Sequence, residues 1–450
     1  MHYIPNANLV REMLESMGFE EVEELFSDIP EKVLVDSLNL PEGLSEYEVE
    51  REALRRLSGD SFSPSTPIFL GAGIYHHYVP PVVDFVTSRA EFLTSYTPYQ
   101  PEISQGSLQA MFEYQSMMAS LTGMEVVNSS MYDGSTALGE ALLMAKRITG
   151  RALFLLPEAL FWEKRSVAEN YARWQGIELK GVPYLEGEGT LDLDALQEML
   201  TEDVGGLYVE SPNFFGVFEE SLPELKEILG ERRVLIVGAD PLSLAIQEPP
   251  GSFGADIVIG EGQRLGLPPN YGGPLLGVFA TRKRHVRKMP GRLIGVTVDS
   301  RGERAFTMTL QTREQHIRRA RATSNICSNE ALAAITAAAY MAALGSRGLK
   351  ELALQVASRA RWLAERIDAL PGFTAPKMGR YFFGEFTVGA PADARGVLRR
   401  AWERDGVVAG LPLGDHFPPL KDTFLISTTE VHTEEDYRRL LKALEREVVE

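Results

Sequence analysis

The stretch VIGEGQRLGLPPNYGGPLLG, residues 258–277, connects two apolar strands through a polar loop that contains a Pro-Pro bend and a Gly-Gly-Pro turn. Before it, continuous apolar segments such as ALFLL (152–156), GLYVE (206–210) and RVLIVGAD (233–240) alternate with amphipathic helical segments. Strands that are apolar throughout and separated by helices are typical of a parallel sheet covered on both faces. The pattern therefore predicts an α/β fold in which the 258–277 loop joins two of the later strands.

Three regions follow from the same pattern. Residues 1–65 hold short, charged helical segments that are too small to form a core, so they predict an N-terminal helical arm that packs on another surface. Residues 66–330 form the predicted large α/β domain. Residues 331–450 begin with a long helix and continue as a smaller C-terminal α+β domain.

The composition excludes several classes of protein. A formal net charge of −18 argues against a nucleic-acid or anionic-membrane partner. The single cysteine, Cys327, excludes an internal disulfide framework, and the adjacent His76 and His77 lack metal-ligand spacing, so no metal is expected. No apolar run is expected to approach the roughly 18 residues of a membrane helix, and no signal peptide is visible, so a cytoplasmic protein without a membrane partner is predicted.

The 258–277 loop has the outline of the segment in which pyridoxal-phosphate enzymes carry their Schiff-base lysine. Gln263 stands near the position of that lysine, and no lysine occurs between Lys226 and Lys283. A glutamine amide cannot form a Schiff base. Gly260, Gly262 and Gly266 also suggest a dinucleotide fingerprint, but the prolines that follow them prevent the helix that such a site requires.

Two further segments have the residue types of a cofactor site. Gly134, Ser135 and Thr136 begin a helix, where free backbone N–H groups and hydroxyls suit a phosphate, although Asp133 could equally make this an ordinary helix cap. Asp240 ends a buried strand, where a carboxylate can pair with a pyridinium nitrogen or simply cap the following turn. Both alternatives stay open for each segment.

Two loops carry residues suited to an anion site or an interface. The segment TREQHIRRARATSNIC (312–327) is rich in cations and hydroxyls, and YTPYQPEISQG (96–106) is a rigid aromatic loop. The candidate residues are Tyr96, Tyr99, Arg313, His316, Arg318, Thr323 and Ser324. Solvated helix charge is the alternative interpretation of the cationic segment.

Six segments together resemble one family, the glycine dehydrogenase (decarboxylating), or P-protein, of the glycine cleavage system. They are GAGIYHHYVPPVV, EFLTSYTPYQPEISQGSLQ, SMYDGSTALGEA, GGPLLGVFATR, RKMPGRLIGVTVD and QTREQHIRRARATSNICSN. The resemblance is to the N-terminal half of the P-protein, which some bacteria make as a separate chain, subunit 1, and it covers essentially the whole sequence.

The resemblance implies a fold-type I pyridoxal-phosphate (aspartate aminotransferase-like) architecture. It also implies that the lysine and the covalently bound pyridoxal phosphate belong to subunit 2, in an αβ or α2β2 complex. The assembled enzyme is expected to decarboxylate glycine and to pass the aminomethyl group to the lipoyl arm of H-protein. In this chain, Gln263 would then mark a lost site, Gly134, Ser135 and Thr136 a vestigial phosphate cradle, and Asp240 a vestigial ring-nitrogen partner.

The seven residues of the two loops are the candidates for completing the site on subunit 2 or for lining the interface with it. Two alternatives remain at this point. One is a self-sufficient pyridoxal enzyme that uses Lys146 or Lys283, and the other is a scaffold that touches no ligand.

Overall fold

The computed structural model describes residues 6–35, 37–59, 65–94, 96–310, 315–326 and 328–449. The chain divides into two compact units, residues 1–64 and 65–450. In the first unit, helices α1 (Val10–Met17) and α2 (Glu46–Leu57) are joined by short 3-10 turns. Ser45 and Glu48 form a capping box at the start of α2. Leu14 is the only buried apolar residue among the described part of this unit.

The second unit contains two sheets, a β-hairpin and the helices that cover them. Its strands are β1 (Val126–Val127), β2 (Leu153–Pro157), β3 (Glu178–Val182), β4 (Val204–Glu210), β5 (Val234–Gly238), β6 (Ile257–Glu261), β7 (Gly277–Thr281), β8 (Leu293–Val298), β9 (Arg304–Thr309), β10 (Glu385–Gly389), β11 (Leu411–Pro412) and β12 (Thr423–Ser427). Its helices are α3 (Pro81–Thr87), α4 (Ala90–Leu93), α5 (Gln105–Thr122), α6 (Gly134–Thr149), α7 (Trp162–Arg173), α8 (Leu193–Met199), α9 (Leu222–Leu229), α10 (Gln315–Arg318), α11 (Ala331–Asp368), α12 (Ala394–Asp405) and α13 (Glu434–Val449).

The main sheet has seven strands in the order β1-β7-β6-β5-β4-β2-β3. Strand β7 runs antiparallel to both of its neighbours, and β6, β5, β4, β2 and β3 are mutually parallel. Because β5 and β6 are parallel neighbours, the segments that follow them, with Asp240 and Gln263, leave the sheet at the same edge.

Alternation of side chains places apolar groups on both faces of this sheet. Leu207 and Leu235 pack in the core that includes the first half of α11, whereas Tyr208 and Ile236 pack in the core that includes α6 and α7. Every residue of β4 is buried. The sequence pattern of a sheet covered on both faces is therefore confirmed.

The long helix α11 connects the main sheet to the smaller sheet, whose order is β10-β12-β11. Its first half packs on the main sheet, and residues near its end share a core with β10, β12, α12 and α13.

Helix α11 is long and apolar enough to meet the length and composition of a membrane span, so the expectation that no run approaches this length is wrong. Half of its most apolar window is buried inside the fold, as in a core helix.

Candidate active site

The Gln263 side chain is fully buried where the sequence predicts a lost lysine. Its Nε2 donates to the carbonyl oxygens of Tyr75 (3.0 Å) and Leu267 (2.6 Å). Its Oε1 accepts from the backbone N–H of Tyr75 at 3.0 Å. Both ends of the amide are therefore used to hold the residue-75 loop against the 263–267 turn, a structural role that needs a donor and an acceptor.

Asp240 is neutralised from within the chain. Arg264 donates from Nη1 to Asp240 Oδ2 at 2.8 Å, and the side chains are 4% and 16% exposed. The guanidinium carbon lies 3.5 Å from the centre of the Tyr75 ring. A planar cation stacked on an aromatic ring and paired with a carboxylate fills the space beside Asp240. Asp240 Oδ1 also accepts from the Leu242 N–H at 2.8 Å, so this residue caps the following turn as well.

The start of α6 is likewise occupied by a side chain of this chain. The Gly134 N–H donates to Glu261 Oε2 at 2.9 Å, while Oε1 accepts from the N–H groups of Gln263 (3.0 Å) and Leu276 (3.1 Å). Burial raises the pKa of Glu261 to about 7, although these donors lower it. A carboxylate is thus held where a helix start offers free N–H groups to an anion.

Thr136 serves as a capping residue. Its N–H donates to Asp133 Oδ1 at 2.6 Å, and its hydroxyl accepts from the Asp133 N–H at 3.2 Å. The capping interpretation therefore describes Asp133 and Thr136, while the Gly134 N–H contacts an anion of the chain itself. Ser135 is partly exposed, and its hydroxyl has no hydrogen bond with the described residues.

The pocket around Gln263 does not fit pyridoxal phosphate. Its described residues offer no amine, the Gly134 N–H at the start of α6 donates to Glu261, and Arg264 pairs with the carboxylate of Asp240. The sequence analysis did not identify three residues of this pocket, namely Glu261, Arg264 and Tyr75. The signal was present in the letters EGQR (261–264), where two opposite charges flank Gln263 directly after an apolar strand.

The two lysines that could have replaced the missing one lie far from this pocket. Lys283 follows the end of β7, where Thr281 pairs with Ile257, the first residue of β6. It therefore lies at the opposite edge of the sheet from Gln263. Lys146 lies on α6 twelve residues after Gly134, or roughly 18 Å along the helix. Its amine donates to the carbonyl oxygen of Gln175.

The aromatic loop (96–106) lies beside residues 328 and 329, which directly follow the cationic segment (312–327). Arg292 Nη2 donates to the Tyr99 hydroxyl at 3.0 Å, and Nη1 lies 3.4 Å from Asn329 Oδ1. The Tyr96 hydroxyl is hydrogen-bonded to Ser328 Oγ. Tyr96 and Tyr99 remain 75% and 52% exposed, so the aromatic loop is accessible from outside while it contacts Ser328.

Helices α6 and α7 hold three consecutive residues of the second loop. Arg147 Nη1 donates to the Thr323 carbonyl at 3.0 Å, Ser324 Oγ donates to Glu140 Oε1 at 2.7 Å, and Tyr171 lies 3.4 Å from Asn325 Oδ1. Glu140 is fully buried, and burial raises its pKa to about 7. The Ser324 hydroxyl therefore has an internal partner, which the sequence did not suggest.

The remaining candidates differ in what the structure shows. Arg318 is exposed at the end of α10, and Thr323 is partly exposed; neither side chain has a hydrogen bond or ion pair with the described residues. Arg313 lies outside the described residues, and so does the side chain of His316. Within the described chain, no group of three or more His, Cys, Asp or Glu residues could hold a metal.

A band of apolar side chains lies exposed between residues 78 and 103. Seven of them are at least half exposed: Tyr78, Val82, Phe85, Leu93, Tyr96, Tyr99 and Ile103. Exposed apolar groups in such density are characteristic of surfaces that bind another protein.

A separate cleft of about 780 Å³, lined by residues including Phe218, Trp362 and Tyr381, contains none of the candidate residues.

Comparisons with known proteins agree with this architecture. The family model described as "Glycine cleavage system P-protein" matches residues 1–444. A probable glycine dehydrogenase (decarboxylating) subunit 1 of Thermococcus kodakarensis is 47% identical, and the match covers 100% of this chain and 98% of that protein.

Two solved structures are similar in fold. One, a glycine decarboxylase (P-protein) of the glycine cleavage system in inhibitor-bound form, has a TM-score of 0.91 and 42% identity over 99% of this chain and 100% of that chain. A NifS-like protein has a TM-score of 0.62 at 13% identity over 84% of this chain and 98% of that one, which speaks for the fold alone. The expected fold-type I pyridoxal-phosphate architecture is confirmed, and the chain belongs to the glycine cleavage system P-protein family.

Proposed function

We propose that this chain is the lysine-lacking subunit of a two-chain glycine dehydrogenase (decarboxylating). The observation that carries the proposal is the buried Gln263 amide, whose donor and acceptor both hold the residue-75 loop. The pocket thus retains its place in the fold but has lost its amine. The relatives that this chain matches along its full length bear the name subunit 1, which implies a second subunit.

In this proposal, subunit 2 carries the pyridoxal phosphate on its own lysine. The bound cofactor would supply an electron sink for the decarboxylation of glycine. The aminomethyl group would then pass to the lipoyl arm of H-protein. Whether the complex is αβ or α2β2 does not alter what the residues of this chain are proposed to do.

The contribution of this chain is proposed to come from the two loops joined through Arg292 and Ser328. The Arg318 guanidinium and the Thr323 hydroxyl have no hydrogen-bonding partner among the described residues, so both can donate to a carboxylate or phosphate of the partner. Tyr96 and Tyr99 would form an aromatic wall beside them. Ser324 anchors the loop through Glu140.

Borohydride reduction tests the division of labour between the chains. With pyridoxal phosphate present, reduction of the isolated chain followed by peptide mapping is expected to label no lysine stoichiometrically. Reduction of the complex is expected to label one lysine of subunit 2. Glycine–bicarbonate exchange should require both chains, because only together do they supply the amine and the completing loops.

Full labelling of one lysine in this chain would contradict the proposal and support a self-sufficient enzyme. Lys146 and Lys283 are the residues to inspect first in the peptide map. Exchange by the isolated chain would have the same meaning.

Removal of these two hydrogen-bond donors tests the shared site. Arg318→Ala or Thr323→Ala is expected to leave the complex assembled while lowering turnover or cofactor retention on the order of ten- to a hundredfold, because each loses a charge-assisted hydrogen bond of roughly 1.5–3 kcal/mol. Gel filtration and the exchange assay are run on the same samples.

Thr323→Ser is the matched control, because it keeps the hydroxyl and should retain most of the activity. An intact complex with full activity in both alanine variants would refute the shared-site role. Dissociation of the complex before any loss of turnover would instead identify the two residues as interface contacts.

A further inference from the structure

Residues 323–325 of the second loop, which we call the strap, are fastened residue by residue to α6 and α7. The three hydrogen bonds join the Thr323 carbonyl to Arg147, the Ser324 hydroxyl to Glu140 and Asn325 Oδ1 to the Tyr171 hydroxyl. Because a hydrogen bond weakens steeply when its geometry is distorted, sliding or rotation of the strap weakens at least one of them. The backbone of the strap therefore has a defined orientation.

The Arg147 guanidinium holds the first residue of the strap. Nη1 donates to the Thr323 carbonyl and Nη2 to the Lys288 carbonyl, both at 3.0 Å, and Lys288 Nζ donates to the Arg147 carbonyl at 2.6 Å. The planar fork of a guanidinium sets the separation of the two acceptors that it joins. The Thr323 carbonyl is thus fixed relative to Lys288, whereas the Thr323 hydroxyl has no hydrogen bond with the described residues.

A glycine inside α6 makes room for the contact between Tyr171 and the strap. A Cβ atom added at Gly139 would lie 2.5 Å from the Tyr171 ring. Glycine destabilises a helix interior relative to alanine, but alanine at this position would displace the ring whose hydroxyl reaches Asn325. The close packing of α6 on α7 therefore keeps Tyr171 within reach of the strap.

We propose that Arg147 is a positioning residue of the shared site, which fixes the backbone of Thr323 so that its hydroxyl faces the partner subunit. Glu140 and Tyr171 hold the next two residues of the strap in the same orientation. This inference rests on the proposed function. Because both terminal nitrogens of Arg147 donate within the chain, Arg147 acts through Thr323 and not on the substrate or the cofactor.

A double-mutant cycle on the assembled complex separates positioning from general stabilisation. Arg147→Met removes both hydrogen bonds and is expected to lower the turnover of glycine–bicarbonate exchange about tenfold, as for the loss of one hydrogen bond at the site. In the Thr323→Ala background the same substitution should change turnover less than about twofold, because the hydroxyl that it positions is already absent. A purely structural role would lower turnover by the same factor in both backgrounds.

Amide hydrogen exchange of the full chain tests the strap without reference to activity. Residues 322–326 are expected to exchange at least about tenfold faster in Arg147→Met than in the unmodified chain, because the strap opens locally more often. Residues 204–210, which form the buried strand β4, should exchange at the same rate in both chains.

Arg233→Met is the matched control. Arg233 also donates to two backbone carbonyls, those of Leu229 at 3.0 Å and Thr201 at 2.9 Å, and its Nε is buried without a partner among the described residues, as is that of Arg147. Its replacement should leave both the turnover and the amide exchange of residues 322–326 near those of the unmodified protein.

The outcomes separate this inference from the proposed function. If the unmodified complex catalyses no glycine–bicarbonate exchange, the proposed function fails whatever the amide exchange shows. If the complex is active, unchanged turnover in Arg147→Met, or an equal loss with and without the Thr323 hydroxyl, overturns the positioning role. Unchanged amide exchange at residues 322–326 would show that Arg147 does not hold the strap and would overturn it as well.

Discussion

Replacement of Arg264 by leucine is expected to lower the free energy of unfolding by about 3–5 kcal/mol, because it breaks a buried ion pair and leaves one charge uncompensated. Arg264 and Asp240 are 4% and 16% exposed, so little solvent screens the Asp240 carboxylate once its partner is removed. The variant also loses the stacking of the guanidinium on Tyr75, 3.5 Å from the ring centre. Urea unfolding of the full chain measures the loss.

Two variants separate this effect from a general loss of packing. Arg264→Leu/Asp240→Asn removes both charges and should recover on the order of 1–3 kcal/mol relative to the single variant, as expected for directly coupled residues. Arg347→Leu breaks an exposed pair on α11, where Arg347 and Glu351 are 91% and 62% exposed, and should have a far smaller effect. Equal losses in the single and double variants would show that the pair does not stabilise the filled pocket.

Glu140→Gln is expected to remove a pH-dependent loss of stability. Burial raises the pKa of Glu140 in the folded chain to about 7, above its ordinary value of 4.5. The folded chain therefore holds this proton more tightly than the unfolded chain, and the free energy of unfolding falls as the pH rises from 4.5 to 7. Between pH 5 and pH 8 this loss amounts to about 2–3 kcal/mol, and the glutamine variant should lack it.

The comparison of unmodified and variant chains at the same pH isolates this contribution, because Glu261, whose pKa burial also raises, titrates in both. Ser324→Ala provides a second test. The Ser324 hydroxyl donates to Glu140 at 2.7 Å and lowers its pKa, so its removal should extend the loss of stability to higher pH. Identical pH profiles for the unmodified chain and Glu140→Gln would show that Glu140 does not titrate in this range.

Local patterns in the sequence predicted the order of strands and helices well. The spacing of apolar residues within each segment indicates whether it forms a helix or a strand. Residues at the ends mark where a helix stops, as Gly123 and Gly150 do with positive φ after α5 and α6. The missing amine at Gln263 was also visible, because the chemistry of a Schiff base depends on residue type alone.

The alternatives left open at Gly134 and Asp240 required the folded chain. Each concerned the partner of a polar group, and a polar group pairs with whatever the fold brings within about 3 Å, irrespective of distance along the chain. Glu261 reaches Gly134 from 127 residues away, and Ser324 reaches Glu140 from 184 residues away. No local pattern contains that information.

Residue type and local periodicity were thus sufficient for the fold class, the family resemblance and the absence of a lysine between Lys226 and Lys283. The folded chain was needed to show that Glu261, Gln263 and Arg264 fill the pocket after β6. It also shows that the Ser324 hydroxyl is hydrogen-bonded to Glu140, whereas the Thr323 side chain has no hydrogen bond with the described residues. These contacts follow from the sheet order, because the parallel strands β5 and β6 end side by side and α6 begins opposite Glu261.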